Sequence, residues 1–135
     1  MATQEEMTHE YIVEYPVLTK DVIFSRTMKW IANNFKSAKQ VIEYQDKEAG
    51  SIVGNGVTDI KAEGALVGVE LEFTMNVDIK DYKARCRFIN LNILDVINGL
   101  PNPMPNTQAW HKGAKLKFDA IIESLKTATT KSDEF

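Results

Sequence analysis

Val67-Gly68-Val69-Glu70-Leu71-Glu72-Phe73-Thr74-Met75-Asn76-Val77-Asp78-Ile79 sets an apolar side chain at every odd position and, from Glu70 on, a polar one at every even position. Side chains alternate across a strand with a period of two, so this stretch predicts a long β-strand with one buried and one wet face. After a tight turn at Lys80 to Lys83 the alternation resumes, with Ala84, Cys86 and Phe88 inward and Lys83, Arg85 and Arg87 outward. A hairpin sets these cations opposite Asp78, Asn76 and Thr74 or their neighbours, so polarity and charge pairing agree. Past Phe88 the apolar parity flips to Ile89, Leu91 and Ile93, which predicts a bulge there or an end to regular pairing.

Upstream, Ser51 begins another strand, in which Gly54-Asn55-Gly56 admits two readings. Asn-Gly between apolar residues is a strong hairpin signal, yet a turn there leaves arms shorter than a typical strand, so a continuous strand to Thr58 is preferred. Gln40 to Gln45 reads as its hairpin partner across the polar loop Asp46 to Gly50, and His9 to Tyr15 as a first strand that stops at Pro16. Between these strands Thr19 caps a helix running to about Asn34. Its stripe is Phe24, Met28, Ile31 and Phe35, widened by Ile23 and Trp30, with Arg26, Lys29 and Asn33 to solvent. Asn98 to Asn106 is too rich in proline and glycine for helix or central strand and reads as a long loop. Asn106 or Thr107 then caps a second helix with Trp110, Ala114, Phe118, Ile121, Ile122 and Leu125 on one face and Lys112, Lys115, Asp119 and Glu123 on the other. Gly113 costs that helix about 1 kcal/mol relative to alanine, which points to close contact with the sheet.

The expected architecture is α+β: a five-stranded antiparallel sheet with two helices on one face, in the order β-α-β-β-β-β-α. Residues 9–126 form a single domain in this reading, between an N-terminal tail, 1–8, and a polar C-terminal tail, 127–135. A chain of 135 residues is a usual single-domain size, and its hydrophobic and charged shares, 44% and 26%, are those of a globular protein. Sixteen basic and nineteen acidic side chains give a net charge of −3, which argues against a dedicated polyanion binder. No apolar stretch approaches the roughly 18 to 20 residues of a membrane helix. Met1 to Glu10 is acidic and polar where a secretion signal needs a basic start and an apolar run, so localisation is left open.

Chemistry-bearing constellations are sparse. Cys86 is the lone cysteine and reads as a small apolar filler. His9 and His111 lie far apart and neither belongs to a metal-ligand spacing. Glu70 and Glu72 share a strand face about 7 Å apart, a spacing open to paired carboxylates but better read as a solvated face among basic neighbours. Gly54-Asn55-Gly56 lacks the third glycine and following helix of a dinucleotide fingerprint, and no serine sits in a nucleophile elbow. Trp30 and Trp110 both lie on apolar helical stripes and read as core.

The run Leu18 to Arg26 continuing to Trp30, then Phe35, Val41-Ile42, Asp46 and Gly50-Ser51-Ile52-Val53-Gly54-Asn55-Gly56, resembles the domain of unknown function four-four-six-eight. Ile79-Lys80-Asp81-Tyr82-Lys83-Ala84-Arg85 is similar to that family's lysine-aspartate-glycine-lysine hairpin, with Tyr82 at the glycine. The resemblance spans roughly Tyr11 to Ile93. It implies a fold like one repeat of the TATA-binding protein and a bacterial cell-envelope setting, since the family occurs largely in secreted or lipid-anchored proteins of Bacteroidetes-type bacteria. It implies no activity. This stretch shows neither the signal nor the lipid-attachment cysteine usual there.

The TATA-binding protein grips DNA with its open sheet face, but here Glu70, Glu72 and Asp78 share that face with Lys83, Arg85 and Arg87, so no nucleic-acid partner is expected. The functional expectation is a non-catalytic binding or assembly module. It contacts another protein, or a second copy, through the open sheet face, the proline-rich loop or the tails, with Lys83, Arg85, Arg87, Glu70 and Glu72 as candidate contact residues. The alternative is a small-ligand-binding domain with a pocket between the C-terminal helix and the sheet. No enzymatic activity, cofactor or metal site is expected.

Overall fold

A computed structural model describes residues 9–34 and 41–130. The long strand is β4 (Val69–Lys80), hydrogen-bonded on one side to β3 (Ser51–Ile60) and on the other to β5 (Lys83–Leu94). β3 pairs outward with β2 (Val41–Asp46), and β5 with β1 (Glu10–Glu14), so all neighbours are antiparallel in the order β1-β5-β4-β3-β2. Helices α1 (Lys20–Asn34) and α2 (Gln108–Thr130) pack together on one face. β3 runs continuously through Asn55-Gly56, as preferred from strand length. Gly54 and Gly56 are buried under the helices, and a Cβ on Gly56 would stand 2.6 Å from the Phe73 ring, which would have to shift out of its packed position.

Alternation on β4 holds from Leu71 to Ile79, whose odd residues are at most 2% exposed. It fails at Val67, 77% exposed, because pairing with β3 begins only at Val69. Over β4 and β5 the core closes on three phenylalanines. Phe88 and Phe118 stack with centroids 4.1 Å apart, and Phe73 meets them edge-on at 5.4 and 5.6 Å, the offset and perpendicular geometries that aromatic quadrupoles favour. The bulge expected past Phe88 is present: Thr74 faces Ile89 but Glu72 faces Asn92, so β5 carries one extra residue, and Asn90 has a φ of 55°. The flip falls at Asn90, which corrects the placement of Ile89: it stays on the open face, and only Leu91 and Ile93 turn inward.

Three further expectations are corrected. The proline-rich loop contributes a sixth strand, β6 (Pro101–Pro103), on the outer edge of β5, where a residue without an N–H is tolerated. α2 continues through Thr127 to Thr130, beyond the start expected for a polar tail. Its last turn is held from outside: Tyr15 Oη pairs with Thr129 Oγ1 at 2.7 Å, and Arg26, expected in solvent, donates to the Thr129 carbonyl at 3.0 Å. A cation at a helix C-terminus satisfies an orphan carbonyl and complements the helix dipole. At the start of α1, Thr19 occupies the expected cap position, its carbonyl accepting from Ile23 N–H at 3.0 Å, and the Asp81 carboxylate on the β4–β5 turn accepts from Lys20 N–H at 2.7 Å. Phe35 and the tail residues 1–8 and 131–135 lie outside the described residues.

The absence of a Cβ explains Gly113 of α2, since a side chain there would collide with the Lys61 carbonyl just past β3. That clash outweighs the roughly 1 kcal/mol of helix propensity alanine would add. Phe73→Ala is expected to cost about 3 to 5 kcal/mol in urea unfolding, and Glu72→Ala about 0.5 or less. Equal effects would contradict the assignment of faces. Tyr82 adopts φ 73° at the turn, a conformation that costs a side chain about 1 kcal/mol, and is 54% exposed. Tyr82→Gly should therefore stabilise the fold by about 0.5 kcal/mol or more despite glycine's greater freedom when unfolded. A lowered melting temperature would show that the Tyr82 ring contributes more than its backbone costs.

Candidate functional site

With both helices on one side, the outward side chains of β1 to β5 form an open sheet face that no described helix covers. The backbone register fixes its layout. Arg85 faces Asp78 and binds it at 2.9 Å, with Glu10 at 3.7 Å on its other flank, and Arg87 lies 3.9 Å from Asp78. These two arginines are therefore largely neutralised within the chain. Lys83 faces Lys80 on one side and Glu14 of β1 on the other, and Glu70 faces Asp59 across β3 and β4. Like charges directly opposite are destabilising, and among the described residues none of Lys80, Lys83, Asp59 and Glu70 has an ion-pair partner. Glu72 faces Val57 and Asn92.

The structure thus separates the residues that the sequence grouped together. Glu70 and Lys80 stand ten positions apart on the same face of β4, about 33 Å at a strand's rise, so Glu70 and Glu72 mark one end and Lys80 and Lys83 the other. Apolar side chains are interspersed with polar ones in the middle of the face: the half-buried Val53 and Val57, Ile89 at 39% exposed, and Ile12 and Tyr44 stand among Asn55, Thr74 and Asn76. The proline-rich loop lies at the acidic end. Val96, Ile97 and Leu100 are exposed there, and so are Leu66 and Val67 of the β3–β4 loop, which enters β4 at the same end.

Inside the core, the structure joins a pair that the sequence kept apart. His9 Nε2 lies 2.9 Å from His111 Nδ1, and His111 Nε2 lies 3.0 Å from Asn106 Oδ1. Both rings are buried, and His9 also meets Phe118 edge-on. They sit under a seam. β1 and β6 lie end to end along β5, and between them Phe88 N–H donates to His9 O and Met104 N–H to Leu91 O. Beside the pair, Tyr11 donates to Asp119 Oδ1 at 2.6 Å and Lys115 binds the same carboxylate at 2.8 Å, so Asp119 is half-buried, correcting its assignment to the solvent face. Burial pushes the Asp119 carboxyl up, but the hydrogen bonds from Lys115 and Tyr11 outweigh it and hold the group below its ordinary range. A separation of 102 residues hides the histidine pair from any motif search. Among the described residues no three metal-ligating groups converge, so the pair reads as a buried hydrogen-bonded joint.

Burial, with His111 and Lys115 adding repulsion, lowers His9 to about 4 from an ordinary 6.5, against a small opposing pull from Asp119. Between these values the unfolded chain binds a proton that the folded chain refuses, so stability is full above pH 6.5 and falls as pH drops toward 4. Urea unfolding should show wild type losing about 2 kcal/mol more than His9→Asn between neutral and mildly acidic pH. Identical pH profiles would remove His9 from this role. Cys86 offers no competing chemistry: burial, with Asp78 adding to it, pushes its thiol up to about 12.

An antiparallel sheet with two helices on one face and the other face open, in this strand order, defines the TBP-like class of folds. The chain matches the family model of a domain of unknown function (DUF4468) with TBP-like fold over residues 10–93, and it belongs to that family. Its fold is similar to the crystal structure of a DUF4468 family protein from Bacteroides ovatus, with a TM-score of 0.74 at 12% identity, covering 100% of this chain and 92% of that one. It is also similar to a TBP-like protein from Parabacteroides distasonis, with a TM-score of 0.77 at 10% identity, covering 97% of each chain. No curated protein matches the sequence. No helix among the described residues is long and apolar enough to cross a membrane.

Proposed function

We propose that the chain is a non-catalytic binding or assembly module whose contact surface is the open sheet face. One observation carries this reading: the face sets Asp59 against Glu70 at one end and Lys80 against Lys83 at the other, none of them ion-paired among the described residues, with Ile89 and the half-buried Val53 and Val57 between the two ends. Opposed like charges cost stability in the isolated molecule. A partner that brings opposite charges to both ends recovers that cost. The exposed side chains of the β3–β4 loop and the proline-rich loop extend the apolar surface at the acidic end, and such clusters mark interaction sites.

The small-ligand alternative has less support. A cleft between α2 and the sheet, lined by Trp30, Val57, Thr58, Phe73, Ile121 and Ser124, encloses 250 Å³, below the roughly 300 to 1,000 Å³ of ordinary ligand sites. Trp30 Nε1 donates to Ser124 Oγ at 3.0 Å across it, tying the helices together. Duplex DNA fits the open face poorly, because Asp59, Glu70 and Glu72 would face phosphates.

Photo-crosslinking inside the producing cell tests the reading. A diazirine amino acid replacing Ile89 should yield a discrete protein adduct, a second copy included. The same probe at Leu116, 75% exposed on α2, should not. Equal labelling from both positions, or none from Ile89, would contradict the open face as contact surface.

A further inference from the structure

The acidic pair and the basic pair stand at opposite ends of one face, Glu70 and Lys80 on the same strand, with Val53 and Ile89 among polar side chains between them. A surface of this kind is complementary to itself when turned by half a revolution. Two-fold dimers need such a patch, because each residue must meet its partner's counterpart in reverse. We propose that the occupant of the open face is a second copy of this chain, laid face to face and antiparallel. Lys80 and Lys83 of each protomer then meet Asp59 and Glu70 of the other. This rests on the reading of the open face as a contact surface and names its partner.

Size supports a second copy as the occupant. Three strands about 4.8 Å apart over the roughly 33 Å between Glu70 and Lys80, with the shorter β1 and β2 beside them, make a face on the order of 650 Å², within the roughly 600 to 1,000 Å² each partner contributes to a standard stable interface. Charge count supports it as well. The two-fold repeats the acid–base contact at both ends, so Asp59, Glu70 and Lys80, each opposite a like charge within the chain, meet opposite charges across it, together with Lys83, which also has Glu14 across from it. Arg85 remains with Asp78 and Glu10 and sets the lateral boundary. Val53 and Ile89, level with Asn76 and Thr74, meet their own counterparts near the axis, where two twisted sheets pack about 10 Å apart.

Sedimentation equilibrium on the intact chain should show association toward twice its 15.2 kDa mass, weakening as salt rises. Carbodiimide coupling gives a direct mapping in wild type. Amides joining Lys80 or Lys83 to Asp59 or Glu70 span about 33 Å within one chain and can form only between chains. Lys80→Glu with Lys83→Glu should weaken the dimer by about 100-fold, and so should Asp59→Lys with Glu70→Lys. An equimolar mixture of the two double variants should restore a one-to-one dimer, since every contact is again between opposite charges. A wild type that stays monomeric up to about 1 mM, or a dimer whose couplings fall elsewhere, overturns the proposal. If Ile89 still crosslinks to a different protein while the chain stays monomeric, the second copy is wrong and the contact surface stands. Loss of both crosslink and dimer would remove the contact surface too.

Discussion

The structure depends on the strict period-two alternation of β4 and its continuation into β5. Once Leu71, Phe73, Met75, Val77 and Ile79 point one way, both helices must cover that side, and the Phe73–Phe88–Phe118 cluster locks α2 onto it. The other side receives Glu70, Glu72, Thr74, Asn76 and Asp78 by the same geometry. A slip of one residue would exchange the two sets, so the buried aromatics hold the register of the exposed charges. Core packing and surface chemistry are therefore one constraint seen from opposite sides of a sheet.

Much of this was legible in the sequence because it is local. Alternation, turn residues and helical stripes predicted five strands and both helices, and the spaced glycines and tryptophan predicted the family. What escaped was what distant residues do to each other. α2 passes its last apolar turn because Tyr15 and Arg26, far upstream, hold Thr129. β6 was hidden by prolines, whose missing N–H groups exclude a central strand but permit an edge. The buried His9–His111 joint had no signature, since its partners are brought together only when β1 closes against α2.

For the candidate site, the sequence supplied the face but not its arrangement. Lys83, Arg85 and Arg87 read as one basic row, yet cross-strand register gives Arg85 to Asp78 and Glu10 and sets Lys83 between Lys80 and Glu14. Glu70 and Glu72 read as a carboxylate pair, while the register adds Asp59 and sets the cluster far from the lysines. Separation of Asp59 and Glu70 from Lys80 and Lys83 along β4 is laid over the mixed field of Asp78, Glu10, Glu14 and the two arginines. It emerges only when β3 and β5 are laid beside the strand.

The most direct measurement is a methyl-resolved NMR comparison of dilute and concentrated protein. The account predicts that shifts change with concentration at Val53, Val57, Ile89 and Ile12, which point outward from the sheet, and stay fixed at Val77, Ile79 and Leu116. Changes centred on the helical side, or none anywhere on the sheet, would contradict the claim that the open face is where this chain meets its own second copy.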